Sequence, residues 1–541
     1  MERRPALIVR RALLLALLAL CARRELGAQA AGLFADDFES GTLWPWSRLP
    51  GDVDPRAVCA APIAPVEMTG AEVVGDGTPA SCDEAALDAG IAAALAGGGK
   101  LRFDCGSAPH TLVVTSEKSV AASLAIDGGG RVALSGGGTT RILALRPPFG
   151  ADPYPVLTLQ NLTLRDGFTG DLPGTDIASG GAAVYRGPSG DLHVLDSLFV
   201  DNVGPATGQD VAGGAIYSFG EGETVVVRSR FTGNRCSSGG ALGGLGVDAH
   251  ALAIFDSLID GNAATGSGGN PGNGGNGGGV YLDGNDQTVT LCGSAISAND
   301  ANARGGGLFR VSNNGVGAMT IEKSAILANR IPDGANSQAG GLYLQGLQTT
   351  IVESTIAENV ASSTGGLFVW TNPGAQTLAM TNVTVAGNRA STGLGAGMTV
   401  ASGVTGALAH VTLARNHNDG PASFASALAG GGGLSLSNSL VADNSKVFVW
   451  ENTSCNVTHA GAAVYQWPAL NAGGQSELPC ATGALFLDPG LGPLAWSGGA
   501  TPTIAPSHPA LDGAATSGCP ATDQRGAPRG ATCTPGAVEM P

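Results

Sequence analysis

Asp256 and Asp260 stand four residues apart, and Arg228 lies 28 residues before the first of them. Two carboxylates and a guanidinium are what a polysaccharide lyase needs: abstracting a proton beside a uronate requires the uronate charge to be neutralised and a base to face the proton. The competing reading is an exposed charge ladder, in which acidic and basic residues alternate on one turn of a repeat. A hydrolytic carboxyl pair must flank the scissile bond at a fixed separation. The adjacent pair in this chain, Asp36-Asp37, falls outside the repeat. No cofactor is expected from the residues themselves. His410 and His417 have no Cys or Ser nucleophile placed with them and read as surface histidines. Arg525 and Arg529 read as structural partners of Asp523 or Asp512.

These groups are positioned by a repeat. SLFVDN (197 to 202), SRFTGN (229 to 234), SLIDGN (257 to 262), SAISAN (294 to 299), SAILAN (324 to 329), STIAEN (354 to 359), VTVAGN (383 to 388), VTLARN (411 to 416) and SLVADN (439 to 444) form one family. Their closing residues are Asn202, Asn234, Asn262, Asn299, Asn329, Asn359, Asn388, Asn416 and Asn444, separated by 28 to 37 residues. Three residues before each Asn, and again eight before, the residue is apolar in all nine copies. The two columns are five apart, an odd number, so one straight strand of period two cannot bury both. The chain must therefore turn between them. The column six before the Asn (Asp196, Arg228, Asp256, Gly293, Lys323, Glu353, Asn382, His410, Asn438) is polar in every copy but one and predicts an exposed corner. The carboxylates directly before the Asn, at Asp201, Glu358 and Asp443, are too many copies apart to share an ion.

Short segments rich in Val, Thr, Ser and Gly, with no caps and no 3.6-residue period, disfavour the rival reading as helical repeats. The pattern predicts an all-β chain: a right-handed parallel β-helix in which each copy adds one coil, the Asn side chains stack as a structural ladder, and a Gly pair turns each coil. The longest side loop is 263 to 277.

Composition narrows the function. Gly is 86 of 541 residues, yet 43% are apolar, so the chain has a core to bury. The net charge of −16 becomes −20 if residues 1–30 are removed as a signal peptide, which Arg3, Arg4, Arg10 and Arg11, an apolar run from Ala12 to Ala22 and the cleavage pattern Ala28-Gln29-Ala30 predict. Nucleic acid and anionic lipid are excluded as partners. No transmembrane segment is expected in the mature chain. Export implies an oxidising compartment. Sequence proximity suggests Cys82 with Cys105, Cys455 with Cys480, and Cys519 with Cys533. Cys59, Cys236 and Cys292 are left open, at least one of them free.

FVDN, FTGN and GGAIY (213 to 217) resemble polymorphic outer-membrane protein repeats. LDPGLGPL (487 to 494), HPALDGA (508 to 514) and CPATDQRGAPRG (519 to 530) resemble the region called choice-of-anchor Q, with Thr534-Pro535 departing from its usual pattern. Asp283, Asn285 and Asp286 resemble one incomplete calcium-binding nonapeptide. The resemblance implies an exported, surface-associated protein of a Gram-negative-type bacterium, extracellular or on the outer cell surface. The domain reading is a signal peptide at 1–30, an exported segment at 31–70, a parallel β-helix at 71–445 and an anchor-like region at 446–541, with disulfides capping the ends. The expected function is non-catalytic adhesion, with a surface glycan or protein as partner of a monomer. A pectate-lyase-like lyase or glycoside hydrolase using Arg228, Asp256 and Asp260 is the alternative, and a purely structural envelope component the third.

Overall fold

The computed structural model describes residues 58–540 except 248, 335, 336, 347, 373, 375 and 422. The expected signal peptide, Asp36-Asp37 and most of the segment 31–70 lie outside the described residues.

The chain winds into a parallel β-solenoid of about 13 turns. A long sheet of 24 strand segments, a second sheet of 11 strands and short third-sheet pairings of two and four strands form its faces. Every paired strand runs parallel to its neighbour, as stacked coils require; one example is Val226↔Ile254 continuing to Leu291 and Ile321. The earlier copies contribute two segments each to the long sheet, one on either side of the corner column, whereas Gln376–Ala386, Val404–Ala414 and Gly433–Ala442 run through that corner as single strands. The corner residues, such as Asp196, Arg228, Lys323 and Asn438, all have φ between 44 and 61°. That left-handed geometry swings the chain so that both apolar columns point inward. Phe199, Phe231, Ile259 and Ile296, from one column, and Val194, Val226, Ile254 and Leu291, from the other, are no more than 1% exposed.

The Asn residues close the next turn. Each Nδ2 from Asn202 to Asn416 donates to Oδ1 of the following Asn, at 2.8 to 3.0 Å. Backbone N–H groups of the same residues donate to the same oxygens. Polar groups sunk beneath the surface are thereby satisfied without water. A second ladder was not anticipated: the Ser opening most hexamers accepts, through Oγ, the N–H of its counterpart one coil earlier. The Gly pair turns because Gly213 holds φ 72°, and a Cβ there would overlap the Ile216 carbonyl.

Three features depart from expectation. A helix, Glu84–Gly97, caps the first coils, started by Asp83 accepting from Ala86 N at 2.8 Å and burying Leu87, Ile91 and Ala94. The solenoid also runs past 445: Ala460–Trp467 pairs with Gly433–Ala442, and Leu485–Phe486 pairs with Ala460–Trp467. The corner, finally, is mostly not exposed. Asp196, Asp256, Asn382, His410 and Asn438 are buried, because both end segments fold back over it.

From the N-terminal side, Val66 exchanges two hydrogen bonds with Gln160 (2.8 and 3.0 Å), Ile63 packs on Leu195, Val225 and Val227, and Cys59 bonds to Cys292. From the C-terminal side, Thr522 O accepts from Asn382 Nδ2, Gly518 O meets His410 Nε2, and Ser517 O accepts from Asn438 Nδ2 (2.8 to 3.1 Å). Gln524 lies fully inside this contact, bonded to Thr384, Thr355 and Ser354. Cys82–Cys105, Cys455–Cys480 and Cys519–Cys533 are also bonded, and Cys236 is the buried free thiol.

Candidate functional site

The lyase-like trio lies on two neighbouring coils, and Arg228 and Asp260 meet their partners along the stack. Arg228 donates through Nε and Nη2 to both oxygens of Asp196, at 2.6 and 2.7 Å. Arg230, which the sequence reading passed over, holds Asp260 bidentately at 3.0 Å. Asp256 is 2% exposed. It lies under the N-terminal segment: a Cβ built on its neighbour Gly293 would stand 3.1 to 3.2 Å from Val58 and Cys59. Arg228, Asp256 and Asp260 thus share a flank of the long sheet, with Asp256 buried and Arg228 and Asp260 held by neighbours on the stack.

Asp283, Asn285 and Asp286 do not converge. Asp283 sits in the second-sheet strand Val280–Gly284, and its carboxylate accepts from Tyr281 OH, Asn270 Nδ2, Gly284 N and Asn313 Nδ2 at 2.7 to 3.1 Å. Burial pushes its pKa above the ordinary carboxylate value. Asn285 and Asp286 lie in the turn beyond, where Asn285 N donates to Gly246 O and Asp286 N to Asn314 Oδ1. Four N–H or O–H donors occupy the Asp283 oxygens that a Ca2+ ion would need.

His410 is not a surface histidine. The C-terminal segment buries it completely, and desolvation, helped by the Arg529 charge, pushes its pKa down to about 4. Its Nε2 lies 3.8 Å from Cys533 Sγ. His410, Cys519 and Cys533 form the described group close enough to hold a metal, but the two sulfurs are bonded to each other, not available as thiolates. His417 remains partly exposed and meets Asp419 at 2.9 Å. Arg525 pairs with Asp523, and Arg529 with Glu539 instead of Asp523 or Asp512.

The sequence reading missed the outer face of the second sheet. Tyr281, Phe309, Tyr343, Phe368 and Trp370 stack with successive ring centroids 5.1 to 5.5 Å apart and planes within 12° of parallel. The signal was in the chain: an aromatic follows shortly after the Gly pair in GGAIY, GGGVY, GGLF, GGLY and GGLFVW. In-register stacking of parallel coils superimposes those rings. The first four are at most 6% exposed, whereas Trp370 is 44% exposed.

Comparison of this chain with protein-family profiles, curated proteins and solved structures returns no match.

Proposed function

We propose that the chain is an exported, non-catalytic β-solenoid that binds a surface glycan or protein from a rigid scaffold, on the outer surface of a Gram-negative-type bacterium or released from it. The observation that carries this reading is the covered corner. In the one arrangement of acid, base and cation that the sequence offered to chemistry, Arg228 is held by Asp196 and Asp260 by Arg230, and the segment at Val58 and Cys59 lies over Asp256. Four disulfides support an oxidising compartment. The FVDN, FTGN and GGAIY segments and the region from 487 onward support kinship with polymorphic outer-membrane protein repeats and choice-of-anchor Q proteins. The exposed features favour recognition over a purely structural part, since a stacked aromatic face ends in a ring open to solvent.

The test has two arms. Full-length chain produced in a Gram-negative host should reach the periplasm or medium with its N-terminus at Ala31; cytoplasmic retention of an uncut chain would overturn export. The purified protein should be retained by a glycan or envelope protein without forming unsaturated uronates, with or without Ca2+. A Ca2+-dependent rise in unsaturated product, lost in Arg228→Ala, would overturn the non-catalytic reading.

A further inference from the structure

The second sheet carries a stack of aromatic rings with one open end. Tyr281, Phe309, Tyr343 and Phe368 occupy one register position on four consecutive coils, so each ring covers a face of the next. Trp370 leans onto Phe368 (5.5 Å, 11°) and terminates the series. On the following coil the residues in register with Phe368 and Val369 are Thr399 and Val400, with Ala401 next; on the coil after that they are Ala429 and Gly430. No ring follows. An indole with one face on Phe368 and 44% of its surface in water stands above a step of small side chains.

We infer that the open face of Trp370 is a stacking subsite for a sugar ring of a neutral polysaccharide. This deepens the binding reading above and rests on it. The apolar C–H face of a pyranose lies flat on an aromatic plane, and a plane already fixed by four rings beneath it loses little freedom on binding. The half-buried carboxamide of Gln345, opposite Trp370 on the preceding coil, is held by Tyr343 OH at 3.0 Å. Its Nε2 donates to Thr371 O at 3.4 Å, which leaves the second N–H of that amide for ring hydroxyls beside the indole. The strongly acidic chain disfavours polyuronates, which leaves neutral glycans as the class the site fits.

Affinity electrophoresis of the full chain through gels containing a soluble β-glucan, a galactomannan or polygalacturonate tests this. Retardation is expected in a neutral gel and not in polygalacturonate. Trp370→Ala should weaken it about tenfold, and Trp370→Phe, which keeps a flat ring, should retain most of it. Trp450→Ala, which removes a tryptophan 63% exposed and outside the stack, should change nothing. Retention that survives Trp370→Ala, or retention by polygalacturonate alone, removes this subsite but leaves a glycan-binding protein. No retention in any gel overturns the subsite, and the wider reading then falls only if envelope proteins are not bound either. Unchanged circular dichroism and melting of the Trp370 variants keep loss of binding distinct from loss of fold.

Discussion

The Arg228 guanidinium clasps the Asp196 carboxylate across one coil, with its Nε at 2.6 Å and its Nη2 at 2.7 Å from the two oxygens. Arg228→Ala leaves the buried Asp196 charge without this partner, so a loss of about 1 to 3 kcal/mol in chemical denaturation is expected. The companion change Asp196→Asn should recover part of it. A substrate-binding arginine would behave otherwise, costing function and little stability.

The Asn ladder predicts a position-dependent cost. Asn329→Ala deprives the Asn299 N–H and amide of their acceptor and the Ile296 carbonyl of its donor. We expect a loss of about 2 to 5 kcal/mol. Asn202→Ala at the start of the ladder should cost less, since no earlier Asn donates to it and its Oδ1 accepts only the Gly167 N–H. Equal effects at the two positions would mean that the amides do not act as a connected row.

Acid should loosen the C-terminal segment. An unfolded His titrates near 6.5, while in the fold His410 titrates at about 4 and His250 at about 3, both chiefly through burial. Between those values the unfolded chain binds more protons, so this stability is complete above about pH 6.5 and falls as the pH drops toward about 4. His410→Gln should flatten the change in denaturation midpoint between about pH 7 and about pH 4.5. An unaltered slope would show that His410 is not the group responsible.

Cys236 should be inert. Burial pushes its thiol up to about 12, so thiolate is scarce at neutral pH. Alkylation followed by peptide mapping should leave Cys236 unmodified in native protein and fully modified in denaturant. Rapid native labelling would place it at the surface.

Cys59 and Cys292 are joined across a sequence separation of 233 residues. The double change to Ala should cost on the order of 3 to 5 kcal/mol and open a protease site before Val66, with the coils themselves still resistant. Unchanged cleavage would mean that Ile63 and Val66 suffice to hold the segment.

The coil was legible because a repeat repeats its evidence. Nine copies fixed the inward columns around Phe199 and Val194, and their odd spacing required the corner that positive φ at Asp196 and its counterparts supplies. What covers that corner was not legible. Val58 to Val66 and Thr501 to Ala537 occur once each, and their partners lie far off in sequence: Gln160 is 94 residues from Val66, and Thr384 is 140 from Gln524. No local pattern announces a contact between unlike segments. The polar column at Asp256 and His410 therefore read as surface. The helix at Glu84–Gly97 was legible and overlooked: Asp83 followed by EAALDAGIAAALAG is a cap and a run of strong helix formers.

The two covering segments also set how the rod answers to force. The N-terminal one is fastened from the coil of Gln160 to that of Cys292, and the C-terminal one from the coil of Glu353 to that of Asn438. Such splices bypass the nearest-neighbour rule by which stacked repeats normally peel apart one at a time. Between them lies the coil of Lys323, bound to its neighbours by its own Ser and Asn ladders. Under tension along its axis each spliced length would therefore yield as a block of several coils, and not one coil at a time.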